Sequence, residues 1–216
     1  LKQVNETAEE WNDWLSGWDV INNDDVQLMK FQDIVINDIL LFAHNGMTGV
    51  SSGIRTKLYE DKKRNYKQAD RASIDKNLEK VRKRLEKGIF PHGVKGTRFE
   101  HKDNFISLFL AIYDLECGTD GYAFTGKDGE TNRLLTEFST ELDSVMLDSP
   151  RKKEDMTNVS PAVAQYYCIL SESWGKDHTT DVRTKKERHS ALLQLLLSGT
   201  GNDGKEVTPQ YTAKDP

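Results

Sequence analysis

The sequence predicts an all-α protein, an irregular bundle of about seven helices that includes a basic helical hairpin. Two observations carry this fold class. Only 5 Pro and 15 Gly occur in 216 residues, too few for a turn-rich β-sandwich and in keeping with helices joined by short loops. The apolar residues also recur at helical spacing in long segments, although 30% of the residues are charged and the mean hydropathy is −0.69. A chain of this length buries a proper core as one domain or two small ones. We expect a helical core over residues 1–149, including the basic hairpin 55–87, with the C-terminal helices and tail of 150–216 packed on the same core.

The central element is expected at Asn104 to Glu116, after Arg98-Phe99-Glu100-His101-Lys102-Asp103. Phe105, Leu108, Phe109, Ile112 and Leu115 follow a helical period, while Ile106, Leu110 and Tyr113 widen the apolar arc beyond what a surface helix needs. The run is long for a buried strand, so a buried helix is the better reading, with Asp103 as N-cap and Gly118 as stop.

Along the chain, residues 4–17 read as a helix with Trp11, Trp14 and Trp18 on one face, a pattern of core or interface packing rather than base stacking. Asn22 to Asp25 signals a turn, and Val26 to Phe42 a second, mostly buried helix. Ala43 to Gly53 reads as a loop with three glycines. It contains no Gly-Lys-Ser/Thr and is not a phosphate loop, and His44-Asn45 shares two letters with an HNH signature without the accompanying ββα pattern. Ile54 to Lys67 and Ser73 to Lys87 form the hairpin, the second helix having a narrow seam of Ile74, Leu78, Val81 and Leu85. Gly88 to Gly93 closes it.

Tyr122 to Phe124 reads as a short extended excursion between turns at Gly118-Thr119-Asp120-Gly121 and Gly126-Lys127-Asp128-Gly129. Thr131 to Leu147 is a helix with Leu134, Leu135, Phe138, Leu142, Val145 and Met146 inward, and 149–153 a polar connection. Ser160-Pro161 opens a further helix as N-cap and N1, running to Ser173. The last helix, Thr180 to Leu197, begins charged and ends apolar, and the tail through Tyr211 is expected to be loose or to belong to a continuation. A start at Leu1 and an end at Pro216 lead us to expect a piece of something larger.

Several function classes find no motif. Cys117 and Cys168 are too few and too separated for a disulfide framework or a zinc site. His92, His101, His178 and His189 have no metal-ligand spacing and read as loop or surface histidines. The two Asp-Gly turns lack the EF-hand register. No nucleophile elbow, zinc motif or dinucleotide fingerprint occurs, and no acid pair stands out in an apolar setting. We therefore expect no catalytic residue, metal or cofactor in this chain. No signal peptide is evident and no apolar run approaches the roughly 18 residues of a membrane span, so a cytoplasmic protein without membrane contact is expected.

Charge is distributed unevenly. The net charge is −7 over residues 1–54, +9 over 55–102, −8 over 103–149 and +1 over 150–216, together −5. A basic block inside an acidic protein attracts phosphate backbones through counterion release, or pairs with its acidic neighbours.

Arg98 to Ile112, then Gly121-Tyr122 and the helix from Asn132, resembles the helical region of the GmrSD-type modification-dependent restriction and phage-defence nucleases. The tail from Arg188 to Leu197 and Tyr211 to Pro216 resembles the approach to their last domain. That family joins a ParB-like N-terminal domain with an Asp-Gly-Gln-Gln-Arg motif to such a helical region, often followed by an HNH-type nuclease. The resemblance covers about the second half of the chain and departs from the family's central-helix Arg, where Leu108 or its neighbours stand. The nucleotide and nuclease motifs have no matching positions, so neither activity is carried over. The resemblance implies a DNA-associated helical module positioning NTPase and nuclease domains that are absent here, its parent an NTP-dependent endonuclease. Lys62, Lys63, Arg64, Arg82, Lys83 and Arg84 would then contact DNA phosphates. The alternative is a protein interaction scaffold without nucleic acid, whose acidic and basic faces dock partner domains, supported by the Trp11/Trp14/Trp18 face and the apolar Leu192 to Leu197 end.

Overall fold

A computed structural model describes residues 2–22, 37–45, 68–117, 122–147, 156, 159–173, 182–198 and 210–213. These hold seven α-helices: α1 (Lys2–Gly17), α2 (Asn37–Asn45), α3 (Gln68–Lys83), α4 (Lys102–Cys117), α5 (Asp128–Leu147), α6 (Pro161–Ser173) and α7 (Val182–Ser198). The all-α class is observed, with one small addition. Strands β1 (Tyr122–Phe124) and β2 (Tyr211–Ala213) pair antiparallel, Tyr122 facing Ala213 and Phe124 facing Tyr211. The expected helix before residue 37, the loop over 46–53, the first hairpin helix over 54–67 and the connection over 149–153 lie outside the described residues.

The predicted central helix is central. From Asn104 to Tyr113 every residue of α4 is buried, because α1, α2, α3 and α7 surround it on different sides and leave it no solvated face. Trp11 and Trp14 of α1, and Trp18 just after it, are buried against it. Trp11 meets Phe109 at 5.4 Å, Trp14 meets Phe105 at 5.6 Å and Trp18 meets Phe105 at 6.3 Å between ring centroids. Tilted and edge-on ring pairs of this kind add to the gain from area burial. Helix α6 packs on α5 and α7, and α7 packs on α4, within the same apolar core. No helix among the described residues is long and apolar enough to cross a membrane.

The boundaries depart from expectation in informative ways. Asp103 is not the N-cap of α4: His101 is, its carbonyl accepting from the N–H groups of Asn104 and Phe105 at 3.0 and 2.9 Å. Asp103 falls in the first turn, where a carboxylate favours the helix dipole. Helix α2 continues through Ala43, His44 and Asn45 rather than ending at Phe42, since the first strong breaker in the sequence is Gly46. Helix α3 starts at Gln68 instead of Ser73 because Ala69 and Ala72 are strong helix formers. Asp128 and Gly129 begin α5 rather than finishing a turn. Ser160 precedes α6 as expected, and both its N–H and its hydroxyl donate to Glu141 at 2.8 Å.

The end of α3 is a wider turn, a π-helical segment from Arg84 to Ile89 that Phe90 closes by donating to the Leu85 carbonyl at 2.7 Å. It keeps Leu85 and Ile89 in the core while carrying the chain past α5. The crossing is close: a β-carbon at Gly88 would sit 2.6 Å from an Asp128 carboxylate oxygen. Gly93 follows with φ of +82° against the Trp18 indole, a conformation that costs glycine least.

The tail is the main correction. Tyr211 is part of a strand, and both Gln210 and Tyr211 are buried. The Gln210 carbonyl accepts from Thr125 and Gly126, and its N–H donates to Leu196, all at 3.0 Å. These bonds satisfy backbone groups that a loose segment would leave to water.

Candidate nucleic-acid interface

Helix α3 is amphipathic in an asymmetric way. Leu78, Val81 and Leu85 form the buried seam, with Ile74 packed beside it. Lys76, Lys80 and Lys83 share the outer face, and Lys87 follows one turn on. All four are exposed, Lys80 with its ammonium turned towards Glu116. Arginine and lysine thus divide the work on one helix.

Of the six cations expected to contact DNA, Lys62, Lys63 and Arg64 lie outside the described residues. Arg82 is held on the helix surface by Glu79, its Nε and NH2 donating at 2.7 and 3.1 Å. Its guanidinium also lies 5.8 Å from the centroid of a Trp14 ring. The hydrogen bond from Arg82 holds the Glu79 carboxyl below its usual range despite partial burial. Lys83 reaches Glu79 at 3.4 Å and leaves 55% of its side chain exposed. Arg84 points into the protein. It donates to Glu116 at 2.8 Å and to Asp128 at 3.2 Å, and its guanidinium carbon sits 4.2 Å from the Phe124 ring centroid.

The acid that holds Arg84, and Lys80 with it, is Glu116, which sequence periodicity did not single out. Its side chain is only 2% exposed. Besides Arg84, its carboxylate meets Lys80 at 3.1 Å and accepts from the Tyr211 hydroxyl at 3.2 Å. Lys80 also donates to the Glu116 carbonyl at 3.1 Å. Burial raises the Tyr211 hydroxyl pKa, and the adjacent Glu116 charge raises it further; Tyr211 therefore remains a neutral donor. The one sequence signal was an acid at the end of the longest apolar run, where a charge needs partners.

The opposite end of α4 carries a second polar cluster. The Tyr166 hydroxyl donates to Asn104 at 2.8 Å, and Asn104 donates to the Arg98 carbonyl at 3.0 Å. Arg98 pairs with Asp143. Burial pushes the Tyr166 pKa up to about 12. Arg188, 1% exposed, reaches Asp103 at 3.9 Å. No group of three His, Cys, Asp or Glu residues that would hold a metal occurs among the described residues.

His189, expected at the surface, is buried beside Phe42 on α2, with ring centroids 5.6 Å apart. It bonds the Leu110 backbone, while Nε2 lies 3.7 Å from Asp114, beyond hydrogen-bond reach. Burial wins, pushing the imidazole pKa down to about 4 from 6.5. A depressed pKa means that the unfolded chain takes up the proton first. The stability contribution is fully present above pH 6.5 and is lost as the pH falls towards 4. Between pH 7 and 5 the loss should be about 2 kcal/mol. Urea unfolding at both pH values checks it against His189→Asn, which keeps a donor but cannot titrate. An equal pH dependence in the variant would show that His189 contributes none of it.

The chain matches no family model, no curated protein and no solved structure. Its function is read from its own residues.

Proposed function

We propose that this chain is a DNA-associated helical module that contacts phosphate backbone through the outer face of α3. The observation that carries the reading is the row of exposed lysines, Lys76, Lys80, Lys83 and Lys87, of which Lys80 is drawn to Glu116, on a helix whose arginines are held by carboxylates. Mobile ammonium groups on a fixed rod suit a regular array of phosphates without reading bases. Arg82 and Arg84 act as positioning residues, fixing the rod to α1, α4 and α5. Lys62, Lys63 and Arg64 precede the helix in sequence and add to its positive charge. The helical architecture suits the further proposal that the module belongs to a GmrSD-type defence nuclease, where it would position NTPase and nuclease domains on DNA.

The scaffold alternative docks partners through acidic and basic faces, and the two apolar features that supported it are used inside the chain. Trp11, Trp14 and Trp18 are buried, as are Leu192, Leu195 and Leu196.

The test is fluorescence anisotropy with duplex DNA across a salt series. The chain should bind at low salt and weaken steeply as salt rises. Neutralising Lys76, Lys83 and Lys87 to Gln should flatten the slope of log K against log salt by about 2–3, at roughly 0.9 per phosphate contact. A slope unchanged by the three substitutions, or no binding at low salt, would refute the proposal.

A further inference from the structure

We infer that the segment 210–213 is a releasable latch that controls how tightly the core holds Lys80 and Arg84, and so regulates the charge that α3 offers to phosphate; the regulatory half rests on the phosphate-binding reading. The latch closes over Glu116. Tyr211 donates to the carboxylate and packs on Phe124 at 5.1 Å between ring centroids, and Phe124 in turn covers the Arg84 guanidinium. With Tyr211 in place Glu116 is almost dry, and a carboxylate in a low-dielectric setting holds cations more strongly than one in water. Lys80 is drawn to Glu116 although its side chain remains 53% exposed, and it lies on the outer face with Lys76 and Lys83. Release of the segment would hydrate Glu116, loosen both ion pairs and free the charge of Lys80, already on the exposed face, for phosphate.

The attachment is built to be reversible. The pairing with β1 spans only three residue pairs, and a two-stranded pairing of this size is marginal by itself. Beside Tyr211, the segment is held by the plug formed by Gln210. The Gln210 side chain accepts from the Thr131 hydroxyl at 2.6 Å, and its backbone caps the amides of Thr125 and Gly126. Gly126 is what lets the plug seat, because a β-carbon there would collide with the Gln210 side chain.

Two substitutions open the latch from different ends without altering Glu116, Lys80 or Arg84: Gly126→Val, which blocks the plug, and Tyr211→Ala, which removes the lid. The readout is the rate of Lys80 acylation by an amine reagent, measured by mass spectrometry with Lys76 as internal standard. Hydrogen exchange at Thr125 and Gly126 reports the seating of Gln210. We expect faster exchange in Gly126→Val and a two- to fivefold rise in relative Lys80 reactivity in both variants, as release of a half-exposed ion pair allows. Duplex DNA should then bind more tightly, with a salt slope steeper by about 1. Unchanged Lys80 reactivity in Tyr211→Ala, or a plug that stays seated in Gly126→Val, overturns the latch. A rise in Lys80 reactivity in a chain that binds no DNA upholds the latch and refutes the phosphate reading alone.

Discussion

Replacing Phe105 by Ala should cost about 3–5 kcal/mol of folding stability, the range for deleting a fully enclosed aromatic ring. Phe105 has no solvent exposure and lies where α1 meets α4, its ring 5.6 Å from Trp14, 6.3 Å from Trp18 and 6.2 Å from Phe109. The cavity cannot collapse easily, since the surrounding indoles are themselves pinned by one another: Trp11 to Trp14 at 5.3 Å and Trp14 to Trp18 at 5.0 Å. Against a typical domain stability of roughly 5–15 kcal/mol, this one substitution takes a large share. Urea denaturation followed by Trp fluorescence measures it, and the same experiment reports whether the indoles become wetted before global unfolding. A loss below about 1 kcal/mol would mean that α1 does not seat on α4 as described.

The two faces of that interface were legible because their signal is local. Three Trp at positions 11, 14 and 18 and an apolar run from Phe105 to Leu115 announce two helix faces that must be covered, although not that each covers the other. The seam on α3 was equally readable from Leu78, Val81 and Leu85, without its partner. What escaped sequence reading involves polar groups whose partners are distant along the chain. Tyr211 and Glu116 are 95 residues apart, and Gln210 and Thr131 are 79 apart. A three-residue strand has too few positions for a period to show, so β2 passed for loose tail.

Helix α7 was read as a helix, but the burial of its polar residues escaped for a different reason. Its apolar end was evident, but the stripe carried back from Leu192 by four and eight residues passes through Arg188 and Thr184, both buried. Residue type argued for solvent and position argued for core; position won because Asp103 reaches Arg188 and the Leu110 backbone accepts His189. The candidate cations among the described residues divided along the same line. Sequence showed where positive charge concentrates, whereas the distant carboxylates that take Arg84 inward became visible only in three dimensions.

Glu116→Ala should destabilise the fold by about 2–3 kcal/mol, a smaller loss than the roughly 3–5 kcal/mol of breaking a fully buried pair. The discount has a structural basis. The Arg84 side chain is 28% exposed and keeps Asp128 at 3.2 Å, and Lys80 is free to turn to water. The cost that remains comes from leaving the Tyr211 hydroxyl without its acceptor and Arg84 with half its charge compensation, beside the Phe124 ring. Glu116→Gln separates the two contributions. It preserves shape and an acceptor for Tyr211 but removes the charge, so its loss should fall below that of Ala, with the difference reporting packing and hydrogen bonding. A double-mutant cycle pairing Glu116→Gln with Arg84→Gln then isolates the ionic coupling. Coupling near zero would show that Asp128 alone suffices for Arg84, and that the buried carboxylate is held chiefly by Lys80 and Tyr211. Substantial coupling would place the anchor of the basic helix at Glu116, where the C-terminal strand and α3 meet on one carboxylate.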